Sequence, residues 1–349
     1  MKKILIYVVV LVISISMVAA FSLTGCKKEA APATTEAAET TVAPEVAETT
    51  AAPTEEVVAE KTYKFVFTTH DAGTPFWVPT VAGYKHAAEI FGVTVEFIGP
   101  KTFDIAAQVD MTETAIEGDI DGLAITLPDE AAYDGVVQKA IDKGIIVVGY
   151  NTDDPTPNAR MVFVGQDQIK AGMRMGEEIK KYLPDGGEVI LSTCCPGHSA
   201  IEQRLSGART ALKGSNVTVI GDNLNYGADM TEAVGKIEAA HLANPDVDGI
   251  YSVDAYTEAI GMYISINNLK GKLLGGGFDL VEGTLNFIKD GVLQFTIGQD
   301  PYSQGFYPVV IMWLYVDKGI PPKDVDTGAE VVDKNNIEQI LAREAKWAE

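Results

Sequence analysis

Cysteine, histidine and basic side chains are all scarce in this chain of 349 residues. It has three cysteines and four histidines, and 27 Lys and Arg stand against 49 Asp and Glu, a net charge of -22. Cys194 and Cys195 are adjacent and could close only a strained ring, so we expect partly buried thiols, not a structural disulfide. No metal site is predicted, because two thiols need further ligands and His198 is the only nearby candidate. Nucleic acid is not expected as a partner, because it repels so acidic a chain.

The first 26 residues have the pattern of an export signal. Lys2 and Lys3 precede an apolar run that ends at Phe21, and small residues come next, before Cys26. The ending Leu23-Thr24-Gly25-Cys26 resembles the lipobox of bacterial lipoproteins, whose cysteine receives lipid and becomes the mature N-terminus. A single membrane-spanning anchor is the alternative, since about 20 apolar residues would span a bilayer. We therefore expect an extracytoplasmic protein, anchored to the cell membrane by lipid at Cys26.

Residues 27–60 differ sharply in composition from the rest of the chain. They are almost entirely Ala, Thr, Glu, Pro and Val, with no apolar period. Like charges repel and little apolar surface is available for burial, so this composition predicts a disordered, extended linker. The linker would separate the lipid from a folded region at 61–349.

From Tyr63 onward, short β-rich runs alternate with longer amphipathic stretches, a pattern typical of βαβ units. The predicted strands are Tyr63–Thr68, Thr94–Ile98, Gly122–Ile125, Ile145–Tyr150, Met161–Val164, Glu188–Ser192, Val217–Ile220, Gly249–Ser252, Leu273–Phe278 and Phe295–Ile297. The helical patterns include Val78–Phe91, Ile105–Glu117, Ala131–Lys143, Gln168–Tyr182, Ala200–Leu212 and Ala259–Asn267. About ten strands are many for one open sheet, so we expect an α/β fold of two similar lobes with parallel sheets.

Polar and aromatic residues cluster just after these strands, where ligands bind in open α/β sheets. The candidates are His70, Phe76, Trp77, Asn151, Asp153, His198, Arg204, Asp254, Asp279 and Gln299. Carboxylates, amides and a guanidinium can hold vicinal hydroxyls, and aromatic rings can cover the apolar face of a sugar. Two other interpretations stay open: Asp279 could cap a helix, and Phe76 with Trp77 could be core aromatics.

Several segments in this order resemble the ribose- and galactose-type sugar-binding class of periplasmic binding proteins, which serve ABC importers. They are Thr74-Pro75-Phe76-Trp77, Asp121-Gly122-Leu123-Ala124-Ile125, Gly144-Ile145-Ile146-Val147-Val148, Gly165-Gln166-Asp167, Glu202-Gln203-Arg204, Gly277-Phe278-Asp279 and Ile297-Gly298-Gln299-Asp300-Pro301-Tyr302. The resemblance implies two Rossmann-like lobes that are joined by three crossing segments and close on ligand. Lobe 1 would hold about 61–166 and 300–326, and lobe 2 about 167–299 and 327–349.

The resemblance also implies roles for individual residues. The family's stacking aromatics fall on Phe76 and Trp77, and its second-lobe arginine falls on Arg204. Asn151-Thr152 stands where the family frequently has aspartate followed by arginine, which puts ribose itself in doubt. Asp254, Asp279 and Gln299 match the remaining polar positions.

His70, Asp153, His198 and Tyr226 are weaker candidates for the same site, and Tyr226 would be a second-lobe aromatic. The expected partners are a sugar or polyol, the ABC permease subunits and the membrane that holds the lipid. No cofactor and no oligomerisation are expected.

Two alternatives to sugar capture stay open. Related lipoproteins bind a purine nucleoside or the furanosyl signal autoinducer-2, and Phe76, Trp77 and Tyr226 could form an aromatic sandwich for a base. An exported carbohydrate-active enzyme would need two flanking carboxylates, for which Asp254 and Asp279 are the candidates. No Gly-x-Ser-x-Gly or His-Glu-x-x-His motif is present, so we predict a binding protein and not an enzyme.

Overall fold

The computed structural model describes residues 62–347. The predicted signal at 1–26, its lipidation site Cys26 and the predicted linker at 27–60 lie outside the described residues. Within 62–347, strands and helices alternate and form two sheets, which confirms the α/β fold with two lobes. None of the helices in this range combines the length and the apolar character needed to cross a bilayer.

The first sheet has six parallel strands in the order β12-β5-β4-β3-β1-β2, and we call the part of the chain around it lobe 1. Its strands are β1 (Lys64–Thr68), β2 (Thr94–Ile98), β3 (Gly122–Ile125), β4 (Ile146–Tyr150), β5 (Val162–Gly165) and β12 (Val325–Asp326). Every residue of β3 and β4 is buried, as expected where helices cover both faces of a parallel sheet.

The second sheet has the order β13-β11-β10-β9-β6-β7, with β8 paired to β6, and it forms lobe 2. Its strands are β6 (Gly187–Thr193), β7 (Val217–Val219), β8 (Leu224–Asn225), β9 (Gly249–Ser252), β10 (Leu274–Phe278), β11 (Phe295–Gly298) and β13 (Glu330–Asp333). Strand β13 runs antiparallel to β11, and the other pairs are parallel. The strand order of lobe 2 repeats that of lobe 1, and the difference is the antiparallel direction of β13. Strand β4 therefore corresponds to β10, and β5 corresponds to β11.

Helices connect the strands and cover the sheets. They are α1 (Val78–Phe91), α2 (Ile105–Ile116), α3 (Asp134–Asp142), α4 (Gln168–Tyr182), α5 (Ser199–Leu212), α6 (Met230–Ala243), α7 (Thr257–Ile266), α8 (Glu282–Lys289), α9 (Pro301–Lys318) and α10 (Ile337–Glu344), with short 3-10 turns at Pro75–Trp77 and Ala345–Trp347. Asp167 and Asp300 cap α4 and α9 by accepting the main-chain N–H of Lys170 and Ser303.

The chain passes between the two sheets three times. It leaves lobe 1 after β5, returns after β11, and leaves again between β12 and β13. The three crossings lie side by side at about 166–167, 299–300 and 327–329. They form the hinge between lobes whose strand ends face the same cleft.

Two glycines let α4 and α5 approach closely in lobe 2. A Cβ atom at Gly172 would overlap the main-chain oxygen of Arg204, and one at Gly207 would overlap that of Ile169. This close packing fixes the part of α5 that carries Arg204 at the edge of the cleft.

Candidate functional site

A cavity of about 530 Å³ lies between the lobes at the carboxyl ends of the strands. Nine of the residues singled out in the sequence line it: His70, Phe76, Trp77, Asn151, His198, Arg204, Asp254, Asp279 and Gln299. The cavity is of the size that small-molecule sites usually have. Asp153 and Tyr226, which the sequence also suggested, do not line it.

Arg204 is the central cation of the cavity and is itself 4 % exposed. Its Nε donates to Oε1 of Gln168 (2.7 Å), its Nη1 to the main-chain oxygen of Val253 (3.0 Å), and its Nη2 to Oε1 of Gln166 (3.1 Å). The guanidinium also lies over the ring of Phe278, 4.2 Å from its centroid. Burial lowers the pKa of Arg204, whereas the nearby carboxylates of Asp279 and Asp254 act to raise it.

Asp254 follows β9 and is held by lobe 2 alone. Its Oδ1 accepts the hydroxyl of Tyr226 (2.6 Å) and the main-chain N–H of Tyr256 (3.0 Å), and its Oδ2 accepts the N–H of Cys194 (2.7 Å). Burial raises the pKa of Asp254, and these donors counteract that effect. Tyr226 is therefore a buried support for Asp254 and not an aromatic wall of the cavity.

Asp279 follows β10 directly, with its main chain in the left-handed region at φ +70°. Its Oδ1 accepts Nε2 of Gln299 at 2.6 Å. Helix α8 begins after Val281, with no side-chain cap, so Asp279 does not cap it. Burial raises the pKa of Asp279, and Arg204 acts in the opposite direction.

Asn151 occupies the corresponding position after β4, also left-handed at φ +62°. Its Nδ2 donates to Oε1 of Gln299 (3.2 Å) and to Oε1 of Gln304 (2.9 Å), and its Oδ1 accepts the hydroxyl of Thr152 (2.9 Å). Both amide protons of Asn151 are thus engaged within the protein.

Aromatic rings form the lobe 1 wall of the cavity. Trp77 is 3 % exposed, and its Nε1 donates to Oδ1 of Asp71 at 2.7 Å. The half-buried ring of Phe76 meets it edge-on, with 4.9 Å between the ring centroids. Phe103 extends this wall toward the cavity mouth and is 39 % exposed.

Two histidines meet across the cleft, His70 from lobe 1 and His198 from lobe 2. Their ring centroids are 5.2 Å apart in an edge-on arrangement, and Phe103 contacts both rings. Nδ1 of His70 is hydrogen-bonded to Thr126 (2.9 Å), whereas Nδ1 of His198 has no partner within 62–347. Burial lowers the pKa of His70 to about 3 and that of His198 well below its usual value, so both rings are neutral at pH 7.

The lobes also touch directly beside these histidines, at the start of α5. The main-chain N–H of Ser199 donates to the oxygen of Pro128 (3.0 Å), and its hydroxyl donates to the main-chain oxygen of Asp153 (3.0 Å). The side chain of Asp153 instead forms a two-pronged ion pair with Arg160. The described arrangement is therefore a closed one, with the lobes hydrogen-bonded across the cleft.

The adjacent cysteines are both free thiols, as expected, and both line the cavity. Cys194 is buried and Cys195 is half-buried. The pKa of the Cys194 thiol is raised by its hydrogen bond with Cys195 and by burial. Among residues 62–347 there is no cluster of three or more His, Cys, Asp or Glu that could hold a metal ion.

Several lining residues were not singled out in the sequence. They include Phe103, Gln168 and Met230. Gln168 follows the predicted strand Met161–Val164 closely, so its position along the chain was an available signal. Phe103 lies in the loop after β2, and nothing in its local sequence indicates that it reaches the cleft.

Comparisons with known proteins agree with this geometry. A family model described as periplasmic binding protein domain matches residues 65–320. The xylose/arabinose-binding protein XylF of Sulfolobus acidocaldarius is 32 % identical over 303 residues, 82 % of this chain and 75 % of that protein. The ribose import binding protein RbsB of Bacillus subtilis is 26 % identical over 227 residues, 65 % of this chain and 73 % of that protein.

A solved structure with a bound sugar has the same fold. The solute-binding protein of an ABC transporter from Burkholderia graminis, in complex with D-arabinose, superposes with a TM-score of 0.75 at 28 % identity. The match covers 79 % of this chain and 97 % of that one.

Proposed function

The chain belongs to the periplasmic binding protein family, and we propose that it captures a neutral monosaccharide and delivers it to the permease of an ABC importer. The family consists of solute-binding proteins, in agreement with the prediction that the chain is not an enzyme. The observation that carries the proposal is the division of the cavity, with hydroxyl-binding groups on lobe 2 and aromatic rings on lobe 1.

The lobe 2 wall has unused hydrogen-bonding capacity of the kind that a sugar edge needs. A guanidinium has five N–H groups, and Arg204 uses three of them within the protein. Oδ2 of Asp279 accepts no hydrogen bond from residues 62–347. Two donors beside one charged acceptor match a pair of neighbouring hydroxyls, and two carboxylates around one arginine disfavour an anionic ligand.

The lobe 1 wall supplies the complementary apolar contact. Trp77, Phe76 and Phe103 present ring surface to the cavity, and such rings pack well against the C–H face of a sugar. Tyr226, the lobe 2 ring suggested for an aromatic sandwich around a purine, is fully buried behind Asp254. Tyr256 is the lobe 2 ring that lines the cavity, and its hydroxyl donates to the main-chain oxygen of Ala228 (2.7 Å). We favour a monosaccharide over a nucleoside because Arg204 and Asp279 offer groups that bind neighbouring hydroxyls.

Within the sugars, we favour an aldopentose. Both amide protons of Asn151 are engaged with Gln299 and Gln304, so the hinge end of lobe 1 has few groups to bind an exocyclic hydroxymethyl group. The Sulfolobus relative is named for xylose and arabinose, and the Burkholderia structure holds D-arabinose. These names support a pentose, and the contacts of Asn151 are consistent with one.

We further propose that Cys26 carries lipid and that residues 27–60 tether the binding region to the membrane. The support is the sequence alone, a lipobox-like ending followed by a linker of low apolar content. Mass spectrometry of the N-terminal peptide from membranes tests it, since a lipid adduct on Cys26 is expected and an unmodified uncleaved terminus would contradict it.

Calorimetry with a ligand panel tests the capture of a sugar. The panel is D-xylose, L-arabinose, D-arabinose, D-ribose, D-glucose, D-galactose and adenosine. We expect one-to-one binding of at least one pentose, more tightly than of either hexose. Failure of every sugar to bind would overturn the proposal, as would preferential binding of adenosine.

A matched pair of variants locates the binding to the cleft. Asp279→Asn removes a charged acceptor, which should weaken binding about tenfold or more. Asp248→Asn keeps an oxygen that can accept the main-chain N–H of Glu188 (2.8 Å), before β9 and outside the cavity, and should leave the affinity within about threefold. Equal effects of the two substitutions would contradict binding at Asp279.

A further inference from the structure

The tripeptide Gly-Gln-Asp occurs at both crossings that lead from a strand to a helix. Gly165-Gln166-Asp167 joins β5 to α4, and Gly298-Gln299-Asp300 joins β11 to α9. In both copies the aspartate caps the following helix. The two glutamines therefore occupy corresponding places in the two lobes, but only Gln299 lines the cavity.

Gln166 is 1 % exposed, and its side chain connects the three crossings. It lies in the first crossing, and its Nε2 donates to the main-chain oxygen of Gly298 (3.0 Å), beside the second, and to that of Gly328 (2.8 Å), in the third. Its Oε1 accepts Nη2 of Arg204 at 3.1 Å. One amide group thus links the entire hinge to the central cation of the cavity.

Only an amide satisfies this position. The two carbonyl oxygens require two donors, and Arg204 requires an acceptor, which is the complement of a primary amide. A glutamate would keep the acceptor for Arg204 but would place a carboxylate against two carbonyl oxygens. A methionine of similar volume would leave both carbonyls and one N–H of Arg204 without partners.

We propose that Gln166 is a positioning residue that couples ligand binding at Arg204 to closure of the hinge. The inference rests on the proposed function, because it assumes that Arg204 contacts the ligand. Because opening turns the lobes about the three crossings, we expect it to loosen the contacts that Gln166 makes with Gly298, Gly328 and Arg204 in the closed arrangement. A ligand that holds Arg204 in place therefore stabilises the closed hinge through Gln166.

The variants Gln166→Met and Gln166→Glu test this coupling in the full chain. Gln294→Met is the matched control, because Gln294 also binds main chain, accepting the N–H of Gly275 at 2.6 Å, but within lobe 2 and away from the hinge. Sugar affinity is measured by calorimetry. Closure without ligand is measured by hydrogen exchange at Ser199, whose N–H donates across the lobes to Pro128.

We expect Gln166→Met to weaken sugar binding about tenfold or more and to speed exchange of the Ser199 amide without ligand by a similar factor. Gln166→Glu should shift both quantities in the same direction, since it loses both donations. Gln294→Met should lower the melting temperature while leaving affinity and Ser199 exchange within about threefold of the unmodified chain.

The outcomes separate this inference from the proposed function. Unchanged affinity and unchanged Ser199 exchange in both Gln166 variants would overturn the coupling. If the unmodified chain binds no sugar, the proposed function fails, and the ligand-free exchange of Ser199 still decides whether Gln166 holds the hinge closed. If Gln166→Met does not fold, the same two criteria apply to Gln166→Glu.

Discussion

Asn151 in lobe 1 and Asp279 in lobe 2 occupy corresponding positions after β4 and β10, both with left-handed main chain. The amide of Asn151 is used up by neighbouring glutamines, whereas Asp279 keeps one carboxylate oxygen toward the cavity. The same backbone unit thus gives a hinge contact in one lobe and, in the proposed function, a group that binds ligand in the other. The fold fixes where side chains point, and the residue type decides what they do there.

The two walls also differ in how firmly they are held. Arg204 and Asp254 each make three or more hydrogen bonds to protein groups of lobe 2 and the hinge, so the polar wall is preorganised. Phe76 and Phe103 are packed mainly by other rings and are partly exposed. We expect a ligand to bind lobe 2 first and lobe 1 to close over it.

Replacing Arg204 in the polar wall of lobe 2 should have the largest effect on sugar affinity and on stability. Arg204→Met removes a buried cation and leaves Asp254 and Asp279 without it, so the free energy of unfolding should fall by about 3 kcal/mol or more. Sugar binding should be lost altogether. Urea unfolding and calorimetry measure the two effects.

Arg209→Met is the control for that change. Arg209 lies on the same helix α5 but is half-buried, and its Nη2 donates to Asn223 at 2.6 Å outside the cavity. The Arg209→Met variant should bind sugar as tightly as the unmodified chain. Sugar affinity of Arg204→Met within about threefold of the unmodified chain would contradict the role of lobe 2 as the polar wall.

A ring removed from lobe 1 should have a smaller effect, confined to affinity. Phe76→Ala deletes a half-buried ring that faces the cavity, and we expect about tenfold weaker sugar binding with little loss of stability. Phe91→Ala is the control, because that half-buried ring packs on Trp313, 4.8 Å away, on the far side of the lobe. If both substitutions weaken binding equally, the aromatic wall is not a ligand contact.

Most regular elements of this fold could be predicted from the sequence because the core strands are short apolar runs. All ten predicted strands are present, with ends within one residue of the observed ones. Of the three strands in 62–347 that were not predicted, Leu224–Asn225 and Val325–Asp326 have two residues each, too few for a sequence pattern. The third, Glu330–Asp333, has four residues and pairs antiparallel with β11. Helix Pro301–Lys318 contains Gly305 and Pro308, and it is supported by close packing on α1 more than by local propensity.

The site was less predictable, because the direction of a side chain depends on tertiary contacts. Tyr226 and Arg204 both looked like ligand groups, yet the tyrosine hydroxyl points to Asp254 inside lobe 2. The carboxylate of Asp153 forms an ion pair with Arg160, seven residues away in the same loop. The hinge role of Gln166 needed the meeting of three crossings, which only the folded chain provides.

The histidine pair connects the two walls and predicts a moderate pH effect. In the closed form the pKa of His70 is about 3 and that of His198 is well below normal, whereas an open or unfolded chain returns both toward 6.5. As pH falls below 6.5, protons therefore bind the open or unfolded chain more than the closed form. Both the population of the closed form and the free energy of unfolding decrease as a result. Burial raises the pKa values of the carboxyls of Asp71, Asp254 and Asp279, which therefore act in the opposite direction as pH falls.

The effect is best measured between pH 7.5 and 5.5, on either side of the ordinary pKa of an imidazole. At pH 5.5 each imidazole can weaken closure at most about tenfold, and we expect about threefold, because an open cleft still shields the rings in part. His198→Gln should remove much of this pH dependence of sugar affinity, whereas His86→Gln, on α1 away from the cleft, should leave it unchanged. Affinity that is constant over this range, or that rises toward pH 5.5, would show that the two rings do not control the meeting of the walls.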